Sequence, residues 1–166
     1  IALHQRLNDK NAIALAFNVL GVNYSHENRL DSSLFYYKQA QAYFAETKDV
    51  ANEGMTLINI ANDYVKLHDD KSALVYYKQA ESLLGNSDQK EYLANLYYNF
   101  AATHQRTSDI GLAAEYVQKA LSIALEIDSQ NDLKNGYRLL AKVDSARGDF
   151  RSAWFGGRLS LIHISE

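Results

Sequence analysis

The sequence predicts an all-α fold, a stack of antiparallel helix pairs, and three observations carry that prediction. Columns of matched residues return every 40 positions, proline is absent from all 166 residues, and apolar side chains recur at helical spacing. Gly21, Ala61, Ala101 and Ala141 mark the period. The residue before each is large and apolar (Leu20, Ile60, Phe100, Leu140), as is the one a helical turn earlier (Phe17, Leu57, Tyr97, Tyr137). Further along, Ser33 aligns with Ala73, Ala113 and Ala153, and Ala40 with Ala80 and Ala120. The run Tyr36-Tyr37-Lys38-Gln39-Ala40 returns intact at 76–80. A chain without proline suits helices, whose interiors proline breaks.

Each repeat reads as two helices. Phe17, Leu20, Gly21 and Tyr24 form one apolar stripe at 3.6-residue spacing. A polar break follows, such as Leu67-His68-Asp69-Asp70 or Ala146-Arg147-Gly148-Asp149, whose Asp is suited to cap the next helix. The second helix then sets Ala73, Tyr77 and Ala80 on one face, where small side chains let two backbones approach closely. Polar links such as Thr47-Lys48-Asp49 and Asp128-Ser129-Gln130-Asn131 join one pair to the next. The predicted organisation is four pairs over residues 11–160, at about 11–50, 51–90, 91–130 and 131–160.

These columns resemble the tetratricopeptide repeat family, in its long-helix form with a 40-residue period. Leu57, Ile60, Ala61, Tyr64, Ala73, Tyr77 and Ala80 fit its pattern in full. The first pair fits with Ser33 in place of an Ala, the third departs at His104 and Val117, and the fourth at Asp144 and Gly157. The resemblance implies a right-handed α-solenoid and, from the long period and the missing proline, kinship with bacterial regulators and signalling proteins.

Both ends read as cut. Residues 1–10 align with the tail of a second helix and are expected to be the remnant of an earlier repeat. At the other end, Gly156-Gly157 falls in the middle of the last helix, where two glycines cost about 2 kcal/mol relative to alanine. Residues 156–166 therefore read as a non-native or divergent tail, and no function is assigned to them.

Composition narrows the function. Seventeen Lys and Arg against twenty Asp and Glu give a net charge of −3, which argues against nucleic-acid binding. Zero cysteines exclude disulfides and thiolate metal sites. No apolar run reaches the ~20 residues of a membrane span, so no membrane contact is expected of this segment. Five histidines are scattered without metal-ligand spacing, and no phosphate-cradling glycine loop is present. The expectation is a chain that is not an enzyme, binds no cofactor or metal, and works in the cytoplasm, with the periplasm as the alternative that composition fits equally well.

What the resemblance does imply is a concave face lined by the first helix of each pair. The lining residues are Asn18, Ile58, Asn59, Asn62, Asn95, Tyr98, Asn99, Arg138 and Lys142. A carboxamide both donates and accepts, so repeated asparagines suit the backbone of an extended peptide, with Tyr98 as an apolar anchor. The competing role for these asparagines is to bond helix to helix. His26, Lys66 and Arg106 form a basic column at the ends of the first helices, suited either to acidic ligand groups or to the helix dipole. The functional expectation is a protein- or peptide-binding module, a fragment of a larger bacterial regulator with an effector domain elsewhere. The alternative is a structural solenoid that assembles copies of itself.

Overall fold

Six residues with left-handed backbone set the rhythm of the chain. Asn28, Lys48, His68, Ser108, Asp128 and Gly148 have φ between 52° and 79°. They stand at multiples of 20 residues from one another. The amide of each following residue (Arg29, Asp49, Asp69, Asp109, Ser129, Asp149) donates to the carbonyl five residues back, at 2.9 Å. This bond closes the Schellman end of a helix. The same residue then begins the next helix. Asp49, Asp69, Asp109 and Asp149 accept from backbone amides three residues on, and Ser129 does so with its hydroxyl. Two helices with such turns make the 40-residue repeat.

The computed structural model describes residues 2–162, with side chains for 9–149 and 151–159. Among them are eight helices and no strand: α1 (Ala2–His26), α2 (Leu30–Thr47), α3 (Val50–Lys66), α4 (Asp70–Leu84), α5 (Lys90–Arg106), α6 (Ile110–Glu126), α7 (Gln130–Ala146) and α8 (Phe150–Ile162). The fold is an all-α solenoid of paired neighbours, divided into two compact units, Ile1–Ser87 and Asp88–Glu166. Residues 2–10, expected as the tail of an earlier helix, run without a break into α1. Ile1, the side chains of 2–8, and residues 163–166 of the expected non-native tail lie outside the described residues.

In the first unit α1 pairs with α2, α2 with α3, and α3 with α4. Gly21 is buried where α1 crosses α2, and a Cβ there would stand 2.5 Å from the Tyr37 ring. Leu34, Tyr37 and Ile60 form the core beside that crossing, with Val22, Tyr64 and Tyr76 packed on it. Leu20 departs from its column and is exposed, whereas Ile60 and Phe100 are buried. Asp63 on α3 is 1 % exposed and joins three helices. Ser25 of α1 donates to its Oδ1 at 2.5 Å, and Lys66 approaches the same oxygen at 3.2 Å. Ser33 Oγ of α2 lies 2.5 Å from Asp63 Oδ2 and 2.8 Å from the Gly21 carbonyl, so its one proton serves two acceptors. Burial, and secondarily the Asp63 charge, push the Tyr37 phenol up to about 12.

The second unit repeats the pairing, with α5 also touching α7. A stacked ring pair links first to second helix in three of the four repeats: Tyr24 on Tyr36 at 5.3 Å, Tyr64 on Tyr76 at 5.4 Å, His104 on Tyr116 at 5.7 Å. In the fourth repeat the corresponding positions are Asp144 and Gly156. Gly156 is buried, and a Cβ on it would lie 3.3 Å from the Tyr137 carbonyl oxygen and 3.4 Å from the Ala141 nitrogen. This glycine lets α8 lie close on α7. Asp144 is 8 % exposed. Burial, then the neighbouring Asp149, raise its carboxyl above the ordinary carboxylate range.

Three outcomes follow from this architecture. Asp63→Ala strands Ser25, Ser33 and Lys66 and is expected to cost the first unit about 2–3 kcal/mol in a urea titration. Lys48→Gly relieves a left-handed non-glycine residue and should add about 1 kcal/mol in the same measurement. For Asp144 the folded value is raised, so its favourable contribution is present at low pH and lost as pH rises through that value. Asp144→Asn is therefore expected to raise the melting temperature at neutral pH and to leave it unchanged well below the carboxylate range.

Candidate functional site

The face expected to bind is carried by α1 and α3 in the first unit and by α5 and α7 in the second. In the first unit, Asn18 and Ile58 are not on an open surface. They are 7 % and 3 % exposed, because α1 and α3 touch and close over them. Asn18 Oδ1 lies 3.4 Å from Thr56 Oγ1, whose proton goes to the Asn52 carbonyl at 2.7 Å. Asn62 is half-buried and accepts a 2.6 Å hydrogen bond from the Tyr77 hydroxyl of α4. That is the helix-to-helix role, and it leaves the N–H groups of the Asn62 carboxamide unused by the bond. Asn59, also half-buried, makes no side-chain hydrogen bond among the described residues.

In the second unit, Asn95 is exposed and Tyr98 and Asn99 are half-buried on α5. Asn99 Nδ2 donates to Asn95 Oδ1 at 3.0 Å, one helical turn away. This bond leaves the two carboxamides with three lone pairs and three N–H donors between them. Arg138 and Lys142 are exposed one turn apart on α7. The two touching helices thus carry carboxamides, an aromatic ring and two cations.

The basic column is not uniform. Lys66 donates to Ser25 Oγ at 2.5 Å and pairs with Asp63 at 3.2 Å, so it completes the buried network between α1, α2 and α3. His26 and Arg106 are exposed at the ends of α1 and α5. Among the described residues no group of three or more His, Asp or Glu is placed to hold a metal ion, and no helix is long and apolar enough to cross a membrane.

Two features escaped the sequence reading. The Asp63 network was visible only as Ser33 standing in an alanine column. The loss of the ring pair in the fourth repeat was visible at Asp144, but its partner column (Tyr36, Tyr76, Tyr116, Gly156) shows its meaning only when the rings are seen stacked.

Helix pairs of this kind recur among solved structures. BtubC (BKLC) from P. vanneervenii matches with a TM-score of 0.85 at 20 % identity, over 94 % of this chain and 65 % of that one. Aspartyl phosphate phosphatase F from Bacillus subtilis matches with 0.87 at 17 %, over 93 % and 40 %. The apo form of RapI matches with 0.87 at 15 %, over 95 % and 45 %. The fold is tetratricopeptide-like. The chain spans less than two thirds of the length of each of these three proteins. No family model and no curated protein matches it.

One expectation is overturned here. A protein named as a phosphatase carries the fold over 93 % of this chain, so lacking familiar catalytic motifs does not make such a chain a non-enzyme.

The two asparagines of α3 are expected to separate by their roles. Asn62→Ala removes the Oδ1 acceptor of the Tyr77 hydroxyl and should cost about 1 kcal/mol in urea unfolding. Asn59→Ala should leave the unfolding midpoint unchanged.

Proposed function

We propose that the chain is a protein- or peptide-binding module that holds an extended segment against its first helices. The observation that carries this reading is the pairing of α5 and α7, two touching helices. They bear Asn95, Tyr98 and Asn99 on one and Arg138 and Lys142 on the other. Carboxamides match the donors and acceptors of a peptide backbone whatever its side chains, and the two cations favour a segment with an acidic residue. Asn59 on α3 offers the same chemistry in the first unit. Arg106, at the end of α5, adds a cation within the second unit, and His26 stands at the matching position of the first. The module is read as part of a larger bacterial regulator, acting in the cytoplasm, with an effector domain elsewhere in the protein.

A decapeptide library displayed on phage tests this directly. Selected peptides are expected to be enriched in Asp or Glu. They should bind about tenfold or more weakly to Asn99→Ala and Arg138→Ala, each with an unchanged melting temperature. Peptides indifferent to both substitutions would overturn the reading. A self-assembling scaffold would instead yield no peptide and sediment as concentration-dependent oligomers.

A second reading follows from the likeness to aspartyl phosphate phosphatase F. It has this chain act on a phosphorylated aspartate of a partner protein. Incubation with a protein carrying a phosphorylated aspartate should then shorten the lifetime of its acyl phosphate; an unchanged lifetime excludes it.

A further inference from the structure

α1 carries no charged side chain from residue 11 to residue 25, and apolar residues stand on all its sides. A helix of that composition is one covered on every side. α2 and α3 cover two of them. A third stripe, Ile13, Phe17, Leu20 and Tyr24, runs at spacings of four, three and four, and its Ile13 and Leu20 are 42 % and 38 % exposed. Beside it on α2 stand Tyr36 and Tyr43, both half-buried. The rings of the two helices form a ladder: Tyr24 on Tyr36 at 5.3 Å, Tyr36 on Phe17 at 6.0 Å, Phe17 on Tyr43 at 6.0 Å.

The use of this stripe is visible one repeat later. The matching residues of α3 are Glu53, Leu57, Ile60 and Tyr64, and α2 lies along them. Gln41 Nε2 is 3.5 Å from Glu53 Oε1, Leu34 and Tyr37 pack on Ile60, and Lys38 Nζ donates to the Tyr64 hydroxyl at 3.4 Å. Leu57 and Ile60 are fully covered as a result. The stripe is a seat for an antiparallel helix, and on α1 no further helix among the described residues takes it.

We propose that a second copy of the chain fills this seat, in a twofold dimer that lays α1 antiparallel to α1 and α2 antiparallel to α2. Charge selects this occupant. One end of the hairpin face carries Lys10 and Glu46, which form an ion pair, and the other carries Glu27 and Arg29, 3.6 Å apart. Lys10 and Glu27 stand 17 positions apart, as do Arg29 and Glu46. A twofold axis that reverses the helices therefore brings Lys10 to Glu27 of the other copy, and Arg29 to its Glu46. Opposite charges then meet along the rim of an uncharged centre, the arrangement of a specific interface. Twofold pairing is the commonest oligomer symmetry, and two helical hairpins packed this way make a four-helix bundle. None of the residues assigned to the peptide face belongs to this surface, so the dimer stands or falls without that reading.

Sedimentation velocity on the whole chain, from about 1 µM to about 1 mM, tests this. A monomer–dimer equilibrium with a dissociation constant of ~10 µM is expected, with no larger species. The double substitution Ile13→Asp/Leu20→Asp should weaken it ~100-fold or more, by placing charge at the interface centre. Both side chains are exposed, so the melting temperature of the dilute monomer should stay unchanged. Arg29→Glu and Glu46→Arg should each weaken dimerisation about tenfold or more. Mixed in equal amounts, these two variants should recover the wild-type affinity as a one-to-one dimer, because each copy then offers the charge the other needs. The two positions are about 26 Å apart along α2 at the helical rise, so that rescue cannot arise within one copy. A chain still monomeric at about 1 mM overturns the proposal and leaves the seat to a helix of another protein. Dimers indifferent to Ile13→Asp/Leu20→Asp or to the charge variants overturn it too, as does a mixture that fails to recover.

Discussion

Everything in this chain depends on how closely paired helices can cross. At the crossing column the side chain is hydrogen or methyl: Gly21 and Ala61 in the first unit, Ala101 and Ala141 in the second. Ala61 and Ala101 are wholly buried, and at Gly21 even a methyl would press on the Tyr37 ring. Close approach brings large side chains of the second helix over the first, and those contacts supply most of the buried apolar surface. The ring stacks are a consequence. They form one turn from the crossing, with ring centroids 5.3, 5.4 and 5.7 Å apart.

The turns are the second constraint, and they explain the unusual period. Six inter-helix segments end one helix in a left-handed residue, and all of these but the one ending at Arg29 start the next on a capping side chain. Three residues therefore suffice between helices of 17. The segment at 85–88 breaks this rule. There Gly85 stays right-handed and Ser87 donates to the Leu84 carbonyl at 2.7 Å. That departure falls at the boundary between the two compact units. A regular turn makes one helix pair continue into the next, and its replacement marks where the chain divides.

Where the repeat is broken inside a unit, polar chemistry takes over. In the first unit, Ser33 replaces an alanine and joins Ser25 and Lys66 around the buried Asp63, so the break is closed and structural. In the fourth repeat, Asp144 and Gly156 replace two rings and nothing in the described residues answers the carboxylate. The two breaks differ in sequence: Asp63 shares its column with Asn23, Thr103 and Val143, Asp144 with Tyr24, Tyr64 and His104. They differ also in how they are closed, the first by side chains of three helices and the second by the close approach of α8 to α7 at Gly156.

The helical repeat was legible in the sequence because it rests on periodicity, which is local and countable. A 40-residue recurrence of small and large residues, with no proline, specifies helices, their pairing and the residues at their crossings. The functional face was only partly legible. Which way an asparagine points, and what meets it, depends on neighbours far along the chain. Asn18 and Ile58 are covered because α1 and α3 meet over them, Asn62 is taken by a tyrosine on α4, and Lys66 is drawn to a buried aspartate. Gly156 read as a defect until α8 was seen lying on α7. Sequence by itself determined the fold, since the pattern of apolar and small residues is enough to say which surfaces must be buried. Tertiary structure alone decided which polar groups keep free bonding capacity, because that depends on partners brought together across 12 to 40 residues of chain.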